Sequence, residues 1–320
     1  MSEPRFDVTT IGEMLLRLSV PSGERLEATN HLDMHPAGAE ANVATLLARL
    51  GRRTCWFGAL PENPLGRLAA NALRDAGVDS TGIIQRAHGR LGTYYVEFGE
   101  APRGIQVTYD RAHSCAAELD VNEIDWDSLL DARLLHLTGI TPALSPSCAE
   151  VVTSAVQKAK ERGVQISFDI NYRQKLWSEE KAAQALAPLI QNVEILFCSQ
   201  TDAIRLFHCT GPSEEIAQRM LELSHAHHVI LTRAEKGVLL WDGQKLTHEG
   251  ARPTQIIDRL GAGDALASGV IHGWLDGDIT SGLRYGVTLA AMALSQRGDM
   301  VITNEAELLA LSQQSSTLTR

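Results

Sequence analysis

Short β-branched runs alternate with amphipathic helical stretches from residue 6 to residue 232, and this alternation narrows the possible folds more than any other feature of the chain. Residues 6–12 read as a strand. Residues 41–50 place Val43, Leu46, Leu47 and Leu50 on one helical face and stop at Gly51. The pattern repeats as strand 54–60, helix 65–76, strand 134–138, helix 147–162, strand 164–169, helix 179–191, strand 193–198, helix 213–223 and strand 228–232. Strands linked by crossover helices bury both sheet faces, so the expected class is α/β with a doubly wound, mostly parallel sheet. A hairpin around Asp242-Gly243 and helices over 262–275, 281–296 and 305–312 complete the body.

Two segments, about 14–36 and 89–112, interrupt the rhythm. The second carries period-two text, Thr93-Tyr94-Tyr95-Val96-Glu97-Phe98. Both read as strands without crossover helices, forming a small sheet that covers a cleft as a lid or pairs with another subunit. The plain alternative is an excursion of the main sheet. Residues 1–320 are taken as a single domain with these insertions, and the polar, serine-rich tail from Ser312 is expected to fray.

Composition removes several classes. No apolar run approaches the about 18 residues that cross a bilayer, so no membrane role is expected. With 29 basic against 39 acidic side chains the formal charge is −10, which repels a nucleic-acid backbone. The start, Met1-Ser2-Glu3-Pro4-Arg5, enters a strand without an apolar leader, and a cytoplasmic location is expected. Cys55, Cys115, Cys148, Cys198 and Cys209 include no Cys-x-x-Cys pair and read as free, buried thiols. His225, His227 and His228 cluster at a helix-to-strand junction but lack a second set of metal donors at ligand spacing.

The chemistry concentrates in Asp258-Arg259-Leu260-Gly261-Ala262-Gly263-Asp264-Ala265, which opens a helix. Gly261 and Gly263 allow close backbone approach, and a helix start presents unpaired N–H groups at a positive dipole end, a site for phosphate. Asp264 would stand beside that anion hole, where a carboxylate can take the proton of an alcohol attacking a γ-phosphoryl group. The plain alternative is a glycine-rich connection with Asp264 as a first-turn acid. Gly-Ala-Gly-Asp-Ala-Leu266 fails the dinucleotide fingerprint at its last position, and no Gly-x4-Gly-Lys-[Ser/Thr] occurs. A second stretch, Asp169-Ile170-Asn171-Tyr172-Arg173, follows a strand at the end where ligands bind in open α/β sheets. The alternative there is a structural Asp169–Arg173 pair.

With Gly261-Ala262-Gly263-Asp264, Ala37-Gly38-Ala39-Glu40-Ala41-Asn42 and the Asp169, Asn171, Arg173, Leu176, Trp177 pattern, nearly the whole chain resembles the ribokinase, or PfkB, family of sugar kinases. The Asp169, Asn171, Arg173, Leu176, Trp177 pattern and the Asp258-Arg259 lead-in are most similar to the 2-keto-3-deoxygluconate kinase branch. The resemblance implies a Rossmann-like domain with a β-sheet lid, ATP and Mg2+ as cofactors, a sugar as substrate and a homodimer joined through the lid. It implies Asp264 as the base, with Gly261, Ala262 and Gly263 as the anion hole. Gly38, Asn42, Tyr95, Tyr109, Arg111 and Arg173 are implied sugar contacts, the two arginines as forks for a carboxylate. Asn171, Ser199, Thr232 and Gly237 are implied nucleotide contacts. Asp202 would hold magnesium through water, and Asp258 would sit near a monovalent cation such as K+.

Several positions depart from that family: Ala37 and Ala234 stand where it has glycine, and Ser199-Gln200-Thr201-Asp202 where it has Asn-x-x-Glu. These departures keep open a sugar- or nucleotide-binding relative with a decayed magnesium site. A sister reading retains the chemistry with fructose or 5-dehydro-2-deoxygluconate as substrate.

Overall fold

The computed structural model describes residues 3–99 and 103–313, so the tail beyond residue 313 lies outside the described residues. Its strands are β1 (Phe6–Ile11), β2 (Leu15–Ser19), β3 (Asp33–Ala37), β4 (Thr54–Pro61), β5 (Ile83–Arg86), β6 (Gly92–Glu97), β7 (Gln106–Asp110), β8 (Ala132–Thr138), β9 (Gln165–Asp169), β10 (Ile195–Ser199), β11 (His228–Thr232), β12 (Val238–Trp241) and β13 (Leu246–Glu249). The helices are α1 (Ala39–Arg49), α2 (Pro64–Asp75), α3 (Trp126–Leu129), α4 (Pro146–Arg162), α5 (Glu179–Leu189), α6 (Gln200–Phe207), α7 (Ser213–Ser224), α8 (Ala262–Leu275), α9 (Ile279–Leu294) and α10 (Glu305–Gln313).

Local signals set these boundaries. Helix α4 begins where the Ser145 hydroxyl accepts the Cys148 N–H and ends at Gly163 in the left-handed region. Helix α2 starts where the Asn63 side chain caps two N–H groups and Pro64 takes the first turn. Strand β5 and helix α6 are elements the alternation did not anticipate. Helix α6 follows β10 with no intervening loop, because Ser199 ends the strand and caps the helix at once.

The main sheet runs β13-β12-β11-β10-β9-β8-β1-β4-β5. Strands β11 through β5 pair in parallel, and β12 and β13 add the antiparallel hairpin expected around Asp242-Gly243. Alternate strand residues face opposite layers. Leu135, Leu137, Phe168 and Leu196 pack on α4, α5, α6 and α7, while Val8, Leu134, Ile195 and Phe197 pack on α1, α8 and α9. The two insertions supply a separate four-stranded sheet, β3-β2-β6-β7, in which β2 and β6 pair in parallel and the outer pairs are antiparallel. Among the described residues no helix is long and apolar enough to cross a membrane. All five cysteines are buried and free.

Strand order reverses between β1 and β8, since the chain winds to β4 and β5 on one side and to β9, β10 and β11 on the other. A crevice at the carboxyl ends of the strands follows from that reversal.

Candidate active site

At this switch point lies a cavity of about 640 Å³. Its walls come from the loop after β1, the start of α1, the ends of β9 and β10, the small sheet and the turn before α8.

The phosphate-like end is one turn of backbone. Gly261 caps α8 at φ 81°, and a Cβ there would sit 2.4 Å from the Asp299 carbonyl oxygen, so only glycine fits. Gly263 faces the cavity, whereas Ala262 turns its methyl into the packing against α9 and α10 and has its backbone to offer. Asp264 stands in the first turn of α8, and Asn42 of α1 donates from Nδ2 to its Oδ2 at 2.7 Å. Burial pushes the Asp264 carboxyl up to about 8, against the Asn42 hydrogen bond and with the help of the Asp169 charge. A carboxyl so placed is a strong base beside a helix N-terminus.

Gly38 precedes α1 at φ 153°, where a Cβ would meet the Glu13 carbonyl oxygen at 2.2 Å. Ala37 needs no glycine: it ends β3 as Leu15's partner and buries its methyl with Leu15 and Tyr94. Ala234 does keep the backbone a glycine prefers, at φ 50°.

The opposite wall is acidic. Asp169 ends β9, and Asn171, at φ 40°, folds back to donate from its N–H and Nδ2 to the two Asp169 oxygens at 3.1 and 3.3 Å. Burial pushes Asp169 up to about 7, with Arg173 pulling down and Asp202 pushing further up. Asp202 lies in the first turn of α6, where the Ser199 hydroxyl accepts its N–H at 2.9 Å. Burial raises Asp202 too, against the Ser199 hydrogen bond and the Arg173 charge. Arg173 is exposed to the cavity and acts on Asp169, Asp202 and Asp264 through space.

Among the described residues no three His, Cys, Asp or Glu side chains converge to cage a metal. Magnesium binds oxygen, keeps several waters and takes one or two carboxylates plus phosphate, so it needs no cage. Asp169 and Asp202 share this wall, burial pushes both above the ordinary carboxylate value and the Asp202 charge raises Asp169 further, so they suit a hydrated divalent cation that would relieve them.

Four expectations from the sequence are corrected here. Arg111 lines the cavity, but it is not a free fork: its guanidinium pairs with Glu13, Nε to Oε2 at 2.7 Å, and both are buried. Tyr95 is not in the cavity wall. Strand alternation sends Tyr94 inward and Tyr95 to the other face, since Gly92, Tyr94 and Val96 are the buried residues of β6. Gly237 lies outside the wall, which Thr232 does reach. Asp258 is not in the cavity wall: it is 1% exposed and its carboxylate already accepts Arg17, the Leu260 N–H and the Gly298 N–H.

The cavity otherwise brings together Gly38, Asn42, Tyr109, Arg111, Asn171, Arg173, Ser199, Asp202, Thr232, Gly261, Gly263 and Asp264. Sequence reasoning passed over Glu13, Glu40 and Asp299, which also line it. Glu40 is held by the hydroxyls of Thr138 and Thr141, which donate to its Oε1 at 2.8 and 2.6 Å. A signal existed for Glu13, the acid directly after the first strand at the ligand-facing end. None existed for Asp299, which arrives from a loop beyond α9.

Comparison with known proteins agrees with this geometry. Residues 5–315 match the family described as pfkB family carbohydrate kinase. The chain is 34% identical over 303 residues to 2-dehydro-3-deoxygalactonokinase of Haloferax volcanii, covering 94% of this chain and 95% of that one. It is 27% identical to 5-dehydro-2-deoxygluconokinase of Bacillus subtilis, over 92% of this chain and 91% of that one. The crystal structure of 2-dehydro-3-deoxygluconokinase from Thermotoga maritima superposes with a TM-score of 0.91 at 32% identity, covering 98% of this chain and 100% of that one.

Proposed function

The chain belongs to the pfkB family of carbohydrate kinases, ATP-dependent phosphotransferases, and from that premise we propose that it phosphorylates a hydroxyl of 2-keto-3-deoxygluconate, its galacto epimer or a similar keto acid sugar. The observation that carries the reading is Asp264, half-buried in the first turn of α8, oriented by Asn42 and pushed up to about 8 by desolvation.

The roles follow from placement. The sugar hydroxyl donates to the Asp264 carboxylate, which takes its proton as the oxygen attacks the γ-phosphorus of ATP. The bond from that phosphorus to the β,γ-bridging oxygen breaks, and ADP leaves with the released electron pair. Backbone N–H groups at Gly261, Ala262 and Gly263 stabilise the charge that develops on the transferring group. Magnesium, when bound, neutralises phosphate charge, and Asp169 and Asp202 would hold its waters. Asn171, Ser199 and Thr232 line the nucleotide side of the cavity. Arg173, exposed to the cavity, supplies the fork for the substrate carboxylate. Tyr109 and the Glu13–Arg111 pair frame the sugar, and the small sheet acts as the lid.

We place the protein in the cytoplasm as a homodimer joined through the small sheet; the five free thiols suit a reducing compartment. The second reading keeps the chemistry with fructose or 5-dehydro-2-deoxygluconate as substrate; for fructose, which has no carboxylate, the favouring observation is the neutralisation of Arg111 by Glu13.

The test is ADP formation with magnesium and ATP on 2-keto-3-deoxygluconate, its galacto epimer, 5-dehydro-2-deoxygluconate and fructose. The first two are expected to turn over fastest. Turnover on fructose alone overturns the substrate class, and ATP binding without turnover on any sugar overturns phosphoryl transfer.

A further inference from the structure

Arg17 is a buried cation that the transfer chemistry leaves without a role, and it is 1% exposed. It stands in the middle of β2, in the small sheet, yet its guanidinium reaches two loops of the main domain. Nη1 donates to Asp299 Oδ1 at 2.8 Å, Nη2 to Asp258 Oδ2 at 2.5 Å and Nε to Ser19 Oγ at 2.7 Å, with the Phe98 ring 5.1 Å from the guanidinium carbon.

What each carboxylate does with its remaining capacity gives the arrangement its meaning. Asp258 accepts the Leu260 N–H on Oδ1 at 3.0 Å and the Gly298 N–H on Oδ2 at 3.2 Å. It therefore shapes the turn that leads into Gly261 and α8. Asp299 accepts the Tyr94 hydroxyl on Oδ2 at 2.8 Å, and its backbone carbonyl is the group that packs against Gly261. One planar fork thus braces both loops that fix the anion hole.

The register of the small sheet extends the brace across to the sugar. His35, Arg17, Tyr94 and Tyr109 are successive cross-strand partners from β3 to β7, so they form one row across all four strands. Tyr94 and Tyr109, with ring centroids 5.8 Å apart, line the cavity at the other end of this row.

We propose that Arg17 is a positioning residue that joins the sugar wall and the anion hole into one unit, so that seating the row His35, Arg17, Tyr94 and Tyr109 over a sugar also sets the turn at residues 258–261. The inference rests on the kinase reading. Its consequence is that sugar and nucleotide reinforce each other's binding, since each stabilises the arrangement the other needs. Arginine is required because its two terminal nitrogens engage different carboxylates at fixed angles, which a lysine ammonium on a flexible stem does not reproduce.

The experiment is calorimetric titration of the sugar that the parent turns over, with and without a non-hydrolysable ATP analogue and magnesium, on the parent and on Arg17→Lys. In the parent the analogue is expected to tighten sugar binding by roughly tenfold. In Arg17→Lys that ratio falls towards one and kcat drops at saturating substrates, whatever happens to Tm. Tyr94→Phe, which removes a single hydroxyl from the row, lowers the ratio by a smaller factor and carries the test if Arg17→Lys does not fold. A parent with no coupling overturns the inference. So does an Arg17→Lys protein that keeps the full ratio while its Tm falls, or, where that variant does not fold, a Tyr94→Phe protein with an unchanged ratio. A parent that turns over no sugar defeats the kinase reading instead.

Discussion

Acids in the cavity and acids elsewhere on the molecule are treated oppositely. Glu13, Glu40, Asp169, Asp202, Asp264 and Asp299 all line the cavity, and burial pushes every one of them above its ordinary value. Asp7, Asp79, Glu97, Asp125, Glu194, Asp242 and Asp278 lie outside that wall and are held below theirs. The second group is served by local donors: the Ser128 and Ser281 hydroxyls on Asp125 and Asp278, Arg53 on Asp7. In the cavity even a direct arginine, Arg111 on Glu13 or Arg17 on Asp299, does not outweigh desolvation. The molecule spends stability at the carboxyl ends of its strands, where a base and charge-hungry donors are needed, and recovers it at caps and surface pairs.

The largest test of this contrast is Asp264→Asn. Turnover is expected to fall by roughly 10²–10⁴-fold, the range for losing a positioned base. The same change should raise Tm. A carboxyl whose folded value is about 8 against an ordinary 3.8 favours folding less and less as pH rises from about 4 to about 8, and the amide removes that penalty. At pH 8 a gain of roughly 4 °C is expected in thermal melts; an unchanged or lower Tm breaks the contrast. By the same sign, kcat/KM for the sugar should fall as pH drops through about 8, where the free enzyme's base takes up its proton.

Next in size are the two arginines that line the cavity, Arg111 and Arg173. Arg111→Ala leaves Glu13 buried and unpaired and should lower folding stability by about 3–5 kcal/mol in urea titrations. Arg173→Ala should leave stability nearly unchanged and raise KM for keto acids by ~10–100-fold, with neutral sugars unaffected. Exchanged outcomes would assign the carboxylate fork to Arg111.

Glu194 tests the other side. Despite burial, which works the other way, hydrogen bonds from His228 and Trp274 and the nearby His227 charge hold it down to about 2. Its contribution is present above about 4.5 and is lost as pH falls towards 2, so Glu194→Gln should cost up to roughly 3 kcal/mol at pH 7 and progressively less towards pH 3. Equal losses at both pH values would refute the linkage. The smallest effect is expected from Ala234→Gly, which should stabilise by up to about 1 kcal/mol by relieving a left-handed alanine in the turn before β12.

Much of the fold was legible because its signals are local. Gly51 and Gly163 end helices, Asp242-Gly243 turns a hairpin, and the two stretches that break the alternation became the small sheet. Helix α6 was not, since a strand running straight into a helix leaves no polar gap to read. Within the cavity, Gly38, Asn42, Gly261 and Asp264 could be picked out because one turn of chain carries each pair. Tyr94 and Tyr95 could not be told apart until pairing with β2 and β7 decided which face of β6 the cavity would take.

The chain alone therefore determined the α/β class, the helix start that can hold phosphate and the acid beside it, because propensity, capping and glycine backbone act within a few residues. Only the tertiary structure decided how the charges are spent. Glu13 takes Arg111 from 98 positions away, and Asp258 takes Arg17 from 241, through contacts that no local pattern encodes. It also decided that the Asp264 carboxyl stands high and that of Glu194 low, since both values follow from burial and neighbours that exist once the strands have stacked.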